Sequence, residues 1–276
     1  MQMKNTVRHS NTPDSATKRV FITGGASGLG LALARRYRQA GWQVCIGDVD
    51  AVRLKQVLSQ YSDLSGLSCD VTRESSLTGV RRWLEQHWDG VDLVINNAGV
   101  AAMGPIDQMS IGTWNWVLDI NLMGVVRGCK VFSPLFKRQG HGQFINIASA
   151  AGLFNPALAA AYNASKAGVI SLSETLHHEL SRDNIQTMVV CPSFFKTNLA
   201  LGQRSTDEKM AARTTRLVNE SNMTPEQVAD AIVQAAAMGQ FMLVMPDDAH
   251  QQWLNKQQGT EACGVPASCI DNGAQA

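Results

Sequence analysis

The sequence predicts an α/β fold, a single domain built on a doubly wound parallel sheet of about seven strands. Three observations carry this. Short Val- and Ile-rich runs alternate with longer stretches of helical period. The runs are apolar nearly throughout, as strands are when helices cover both sheet faces. The first run opens directly into a glycine cluster ahead of an amphipathic helix.

The elements follow in order. RVFIT at 19–23 is the first strand and precedes a helix over 29–39; WQVCIGD at 42–48 is the second, before a helix over 51–59. GLSCD at 66–70 leads to a helix over 74–87, VDLVINN at 91–97 to helical segments over 111–137, and QFINIAS at 143–149 to a helix over 160–181. IQTMVVCP at 185–192, a helix over 225–237 and FMLVM at 241–245 complete the rhythm. Nothing rich in Pro, Gly and Ser divides it, so one catalytic domain is expected over 18–246. Residues 1–17 read as a flexible arm and 247–276, Gln-rich at first, as a partly disordered tail. Residues 193–223 form an insertion of the length that usually serves as a lid or mobile loop.

Composition narrows the class. The chain has 276 residues, 45% hydrophobic and 17% charged, enough for one large core. Lys plus Arg number 24 against 23 Asp plus Glu, leaving no net field to hold nucleic acid or an anionic membrane. Six cysteines show no C-x-x-C pair, and the first residues lack the apolar core of a signal peptide; a cytoplasmic protein with reduced thiols is expected. His177-His178 point about 100° apart on a helix and do not complete H-E-x-x-H, so no metal site is expected. Arg35, Arg36 and Arg38 fit a solvated helix face. Trp114 and Trp116 cannot share one helix face, so at least one should meet a partner subunit or the substrate rim.

T-G-G-A-S-G-L-G at 23–30 has the context that gives such a cluster meaning. Gly24 permits a tight turn, Gly28 lets the backbone approach a pyrophosphate and Gly30 lets helix and strand pack closely. Asp48, eighteen residues after Gly30, ends the second strand, where a carboxylate can accept from both adenosine ribose hydroxyls and repels a 2′-phosphate. That favours NAD over NADP. Asp50 reads as a helix cap. Asp70 serves equally as an acceptor for the adenine amino group or as a cap.

The glycine loop, N-N-A-G at 96–99, Asn121, Ser149 and Y-N-A-S-K at 162–166 occur in the order and approximate spacing of the short-chain dehydrogenases/reductases, which the chain resembles over about 18–246. The resemblance implies a Rossmann-type sheet in the order 3-2-1-4-5-6-7, a nicotinamide cofactor, and interconversion of a secondary alcohol and a ketone. It implies a catalytic set of Asn121, Ser149, Tyr162 and Lys166, with Asn121 holding a water that relays protons from Lys166. Its cofactor set is Gly24, Ser27, Gly28, Leu29, Gly30, Asp48, Asp70, Val71, Asn97, Ala98, Gly99, Tyr162, Lys166, Pro192 and Thr197. Tyr162 and Lys166, four residues apart, share a helix face, where an ammonium would lower the phenol's pKa. Ser149 supplies a neutral donor to the substrate oxygen. The family's usual Pro-Gly is here Pro192-Ser193, a cost if that position needs φ > 0.

An NADPH-dependent 3-oxoacyl reductase and a catalytically silent NAD-sensing protein are the alternatives; Asp48 argues against the first, and Ser149 with Tyr162 against the second. Ala101, Ala102, Met103, Leu153, Phe154, Phe194, Phe195 and Leu199 suggest an apolar pocket for a hydrophobic alcohol or ketone. Ala164, Gly168, Leu172 and Leu176 make a helix face suited to another helix. The resemblance makes that partner a second subunit, in a homodimer or homotetramer.

Overall fold

The computed structural model describes residues 17–197, 199, 202–206 and 208–257. The N-terminal arm up to residue 16, and the tail from 258 with Cys263 and Cys269, lie outside the described residues. Nine strands are assigned among them: β1 (Arg19–Thr23), β2 (Gln43–Asp48), β3 (Ser65–Ser68), β4 (Leu93–Asn96), β5 (Ala102–Met103), β6 (Gly142–Ile147), β7 (Ile185–Pro192), β8 (Arg204–Ser205) and β9 (Met242–Met245). Seven form one parallel sheet in the order β3-β2-β1-β4-β6-β7-β9, and β5 and β8 pair separately. With the short pair set aside, this is the expected 3-2-1-4-5-6-7.

The helices are α1 (Gly28–Gln39), α2 (Ala51–Gln60), α3 (Glu74–Trp88), α4 (Ile111–Asn121), α5 (Met123–Gln139), α6 (Ala151–Phe154), α7 (Ala160–Leu180), α8 (Glu208–Glu220), α9 (Pro225–Ala237) and α10 (Asp247–Gln257). Each strand sends alternate residues to opposite faces, so two cores form. Val20, Ile22, Val44, Ile46 and Ile145 pack with Leu33 of α1, Val57 of α2 and Ile232 of α9. Phe21, Cys45, Val94, Phe144 and Val189 pack with Leu84 of α3, Phe132 of α5 and Val169 of α7. Both faces are dry, which explains why the strands read as continuous apolar runs.

Three features add to the sequence reading. The helical segments over 111–137 are α4 and α5, which meet at Leu122, and the Asn121 side chain at the end of α4 binds the Val100 backbone. The first part of the tail is helical: α10 runs to Gln257, with Ala249 buried and Trp253, one turn on, packed against the α5/α7 core. Asp247 and Asp248 sit in its first turn, where the helix dipole favours acids. Within the insertion 193–223 lie the short strand β8 and the helix α8.

The N-terminal edge of the sheet is closed by one acid. Asp92 accepts from the Arg19 backbone N–H at 2.7 Å and its guanidinium at 2.9 and 3.0 Å, and stands 3.0 Å from His141 Nε2. Burial pushes the Asp92 carboxyl up, but Arg19 and His141 outweigh it and hold it below the usual carboxylate range. A depressed carboxyl stabilises the fold fully above its unfolded pKa of ~3.9 and loses that contribution as pH falls through its folded value. Asp92→Asn is therefore expected to lose about 1.5–3 kcal/mol at pH 7, with the gap to wild type closing in acid. Denaturant unfolding between pH 7 and 3 measures this, and equal stabilities at pH 7 would contradict it.

Candidate active site

The loop from β1 into α1 is shaped by absent side chains. Gly24 and Gly28 hold φ of +63° and +50°, conformations that disfavour other residues. A Cβ on Gly30 would stand 2.1 Å from the Gly24 carbonyl oxygen and 2.6 Å from Asn97 Nδ2, so α1 seats on the strand end only because none is there. The first helical bond runs from Leu31 N to Ser27 O, leaving the N–H groups of 28–30 without an intrahelical partner. The Ser27 hydroxyl does not cap them and the first turn holds no acid. This uncapped helix start fits a phosphate group. Beside it a cavity of about 580 Å³ is lined by Gly28, Lys196, Thr197, Asn219, Pro225 and Glu226.

Asp48 crosses to this loop, its Oδ2 accepting from Ala26 N and its Oδ1 from Asp50 N, both at 3.0 Å. Each oxygen keeps a further acceptor site, which fits a ribose diol. Asp50 caps α2 through Arg53 N, and its carboxylate also holds the Arg53 guanidinium at 3.6 Å. Asp70 Oδ1 accepts from Thr72 N and Oγ1, and its other oxygen faces Arg73; those hydrogen bonds and charges hold its carboxyl below the usual range against burial. The turn-capping role of Asp70 is thus built. Val71 is buried against Gly124. Asn97 donates to the carbonyls of Thr23 and Gly24, and Ala98 N donates to Thr23 Oγ1, so N-N-A-G braces the glycine loop from β4. Leu29 is buried beneath the loop.

Ser149, Tyr162 and Lys166 converge at the C-terminal ends of β6 and β7, all buried, with Asn121 beneath them at the end of α4. Ser149 follows β6; its hydroxyl accepts from Ala151 N at 3.1 Å and donates weakly to the Pro192 carbonyl at 3.4 Å. Tyr162 and Lys166 stand a turn apart on α7, and Lys166 Nζ donates to the Ile147 carbonyl at 2.9 Å. Asn121 spends both amide N–H groups on the Val100 carbonyl and Ser165 Oγ, while its Oδ1 accepts from Val100 N. A Cβ on Gly99 would lie 3.3 Å from Asn121 Oδ1 and 3.5 Å from Lys166 Nζ, so this glycine keeps open the gap between the two groups. Ser165 and the Ile147 carbonyl are participants that sequence reasoning missed; a backbone acceptor carries no side-chain signal.

The electrostatics differ from the expectation. Burial pushes the Tyr162 phenol above its ordinary value, against a smaller opposing effect of Ser149, and no lowering by the ammonium is seen. Burial also draws Lys166 down to about 8, although the Cys191 thiol beside it works the other way. The ammonium lies 5.8 Å from the phenol ring centroid, and desolvation outweighs that proximity.

The side chains packed around Tyr162 are apolar. Ala101, Met103, Ala151, Ala159 and Leu199 pack around it. Other expected lining residues are elsewhere: Phe195 is turned into the α1/α9 core, Leu153 and Phe154 pack against the α5/α7 core, Ala102 joins the cluster beneath Trp114 and Trp116, and Phe194 is exposed. The insertion is stitched to this wall, with Arg204 N donating to Ala101 O, Thr206 N to Met103 O, and the Arg204 guanidinium 4.1 Å from the Trp116 ring. Lys256 of α10 donates to the Leu153 carbonyl, so the tail braces α6. Thr197 lines the cofactor-side cavity, and Ser193 is not among the residues of positive φ, so the loop does without the glycine. His177 and His178 are exposed, Arg35, Arg36 and Arg38 are paired with Glu226, Asp230 and Asp63, and Gly168 is filled by Leu122 of the same chain. Among the described residues no cluster suits a metal ion and no helix is long and apolar enough to cross a membrane.

The family profile of short chain dehydrogenases matches residues 18–208. A 3beta-hydroxysteroid dehydrogenase 2 of Eggerthella lenta is 31% identical over 232 residues, 81% of this chain and 88% of that protein. A D-beta-hydroxybutyrate dehydrogenase of Rhizobium meliloti is 27% identical over 85% of this chain and 94% of its own. A short chain dehydrogenase/reductase from Burkholderia phymatum, solved in complex with NAD, superposes with a TM-score of 0.84 at 27% identity, covering 91% of this chain and 97% of that one.

The buried ammonium generates a stability prediction. A lysine whose folded pKa is depressed costs stability fully below that pKa, and the cost fades as pH rises toward the unfolded value. Lys166→Met is expected to be more stable than wild type at pH 7, by about 1–3 kcal/mol, with the excess shrinking between pH 8 and 10. Thermal unfolding across that range measures it; a variant less stable than wild type at pH 7 would contradict it.

Proposed function

The chain belongs to the short-chain dehydrogenase family, and from that premise we propose that it transfers a hydride between NAD(H) and a secondary alcohol or ketone of apolar character. One observation carries the reading: Ser149, Tyr162 and Lys166 meet in one buried cluster at the same sheet edge as an uncapped, glycine-shaped helix start. When bound, a nicotinamide dinucleotide supplies the hydride acceptor or donor. The amides of 28–30 and Thr197 hold its phosphate and nicotinamide ends, Asp48 its adenosine ribose, and Lys166 the ribose next to the ring.

The protein's own work is proton handling. Tyr162 gives its phenolic proton to the carbonyl oxygen in reduction and takes the hydroxyl proton in oxidation. Ser149 donates to the same oxygen as charge builds there. In reduction Lys166, easily deprotonated for a lysine, refills the phenol and is itself recharged through the gap kept by Gly99 beside Asn121; in oxidation the proton runs the opposite way. The alanines, Met103 and Leu199 around Tyr162 exclude water and favour a hydrocarbon skeleton, since burying apolar surface contributes about 25 cal/mol per Å². The steroid dehydrogenase among the relatives agrees with such a skeleton. Four buried thiols without disulfides support a reducing, cytoplasmic setting. The NADPH-linked 3-oxoacyl reductase reading is disfavoured by Asp48, and the silent sensor by a complete Ser149–Tyr162–Lys166 set.

Steady-state absorbance of the reduced nicotinamide, with apolar cyclic alcohols and with short polyols, tests this. Apolar substrates are expected to give the higher kcat/KM, and Tyr162→Phe to lose ~10²- to 10⁴-fold in kcat while still binding cofactor. Near-normal turnover by the Phe variant, or a preference for polyols, would overturn the corresponding part. Asp48→Ala is expected to raise the kcat/KM for NADP relative to NAD by at least about tenfold; comparable use of both cofactors by the wild type would refute the NAD preference.

A further inference from the structure

We infer that Lys196, on the insertion, is a ligand of the dinucleotide's diphosphate, closing on it from the side opposite the α1 amides; the inference rests on the nicotinamide-cofactor reading above. The cavity beside Gly28 has two long charged side chains on its wall, Lys196 and Glu226. Glu226 is already engaged, 3.5 Å from Arg35 of α1. Among the described residues the Lys196 ammonium pairs with no carboxylate. A lone cation facing a helix start that offers only neutral N–H donors is what a doubly charged diphosphate lacks there, because the glycine loop itself contains no Lys or Arg.

The backbone under Lys196 is fixed on both sides, which limits the ordering cost of using it. Ser193 N donates to Met245 O at 2.8 Å and Lys196 N to Met223 O at 3.0 Å. Ser221 Oγ donates to the Phe194 carbonyl at 2.7 Å, and Phe195 is anchored in the α1/α9 core beside Met223. Only the four-carbon stem and ammonium are left to move, and they are exposed toward the cavity.

Topology separates this cation from the cofactor-choice site. Lys196 follows β7, on one side of β1 in the sheet, whereas Asp48 ends β2, on the other side. An ammonium arriving from the β7 side meets the diphosphate, which NAD and NADP share, and not the ribose 2′ position, where they differ. Lys196 therefore contributes affinity without discrimination, and Asp48 discrimination with less affinity.

Isothermal titration of the full chain with NAD, NADP, ADP-ribose and adenosine, at two salt concentrations, tests the assignment. Lys196→Gln is expected to weaken NAD and ADP-ribose about five- to twentyfold and to flatten their salt dependence. It should leave adenosine binding and the NAD-to-NADP affinity ratio unchanged, and Lys196→Arg should keep most of the affinity. An ADP-ribose Kd within twofold of wild type would overturn the assignment, as would an equal loss for adenosine, which signals a displaced loop. Wild-type chain that binds neither NAD nor ADP-ribose would overturn the cofactor reading itself.

Discussion

The Lys166 ammonium is 4% exposed at the edge of a sheet built from Val, Ile and Phe, and the geometry around it follows from keeping a charge there. Its proton is held by a single carbonyl, Ile147 O, with no carboxylate paired to it among the described residues. Neutral groups alone cannot repay full desolvation, so the ammonium gives up its proton near pH 8 rather than above 10. The same burial moves the neighbouring phenol the opposite way. In water the two groups would titrate almost together; here the lysine releases its proton well before the tyrosine. Tyr162 thus stands as a protonated phenol next to an ammonium that loses its proton more readily than one in water.

Holding that arrangement is the task of the two cores. The α7 helix is clamped to the sheet by Val169 and Ile170 and by a buried polar line in which Asn146 donates to Ser173 and Asn96 to Asn146. On the opposite face α1 is drawn onto β1 by the missing Cβ of Gly30 and held there by Asn97. The central strands therefore hold Tyr162 and Lys166 on one helix and the uncapped amides of another in fixed relation. The insertion and α10 act later in this hierarchy. The insertion meets Ala101 and Met103 beside Tyr162 through the Arg204 and Thr206 backbone N–H groups, and α10 meets α6 through Lys256.

Much of this was legible in the residues. Continuous apolar runs with Gly-rich or acidic ends located seven strands, and their order followed once the glycine loop and the Tyr162–Lys166 spacing pointed to a family. Periodicity could not place the break at Leu122, because both halves remain helical, nor could it show that Asn121 reaches 21 residues back to Val100. The α10 helix was missed because its surface is Gln-rich and only Ala249 and Trp253 mark the buried side. Spacing placed Lys166 beside Tyr162, but the sign of the Tyr162 shift depends on how dry the site is, a property of the whole packed edge. Phe195 and Phe154 looked like pocket residues by position, yet the pleat and α6 turn them into the cores.

The central claim is that burial, not a neighbouring charge, sets the protonation of Lys166. Nuclear magnetic resonance titration of the lysine side chains, with the Lys166 resonance assigned by comparison with Lys166→Met, reads that protonation directly. A midpoint near 8, well below the other lysines, is the expected result. A midpoint at or above the ordinary lysine value of 10.5 would show that the ammonium is solvated or paired, and would contradict the proton route from Tyr162 through Lys166.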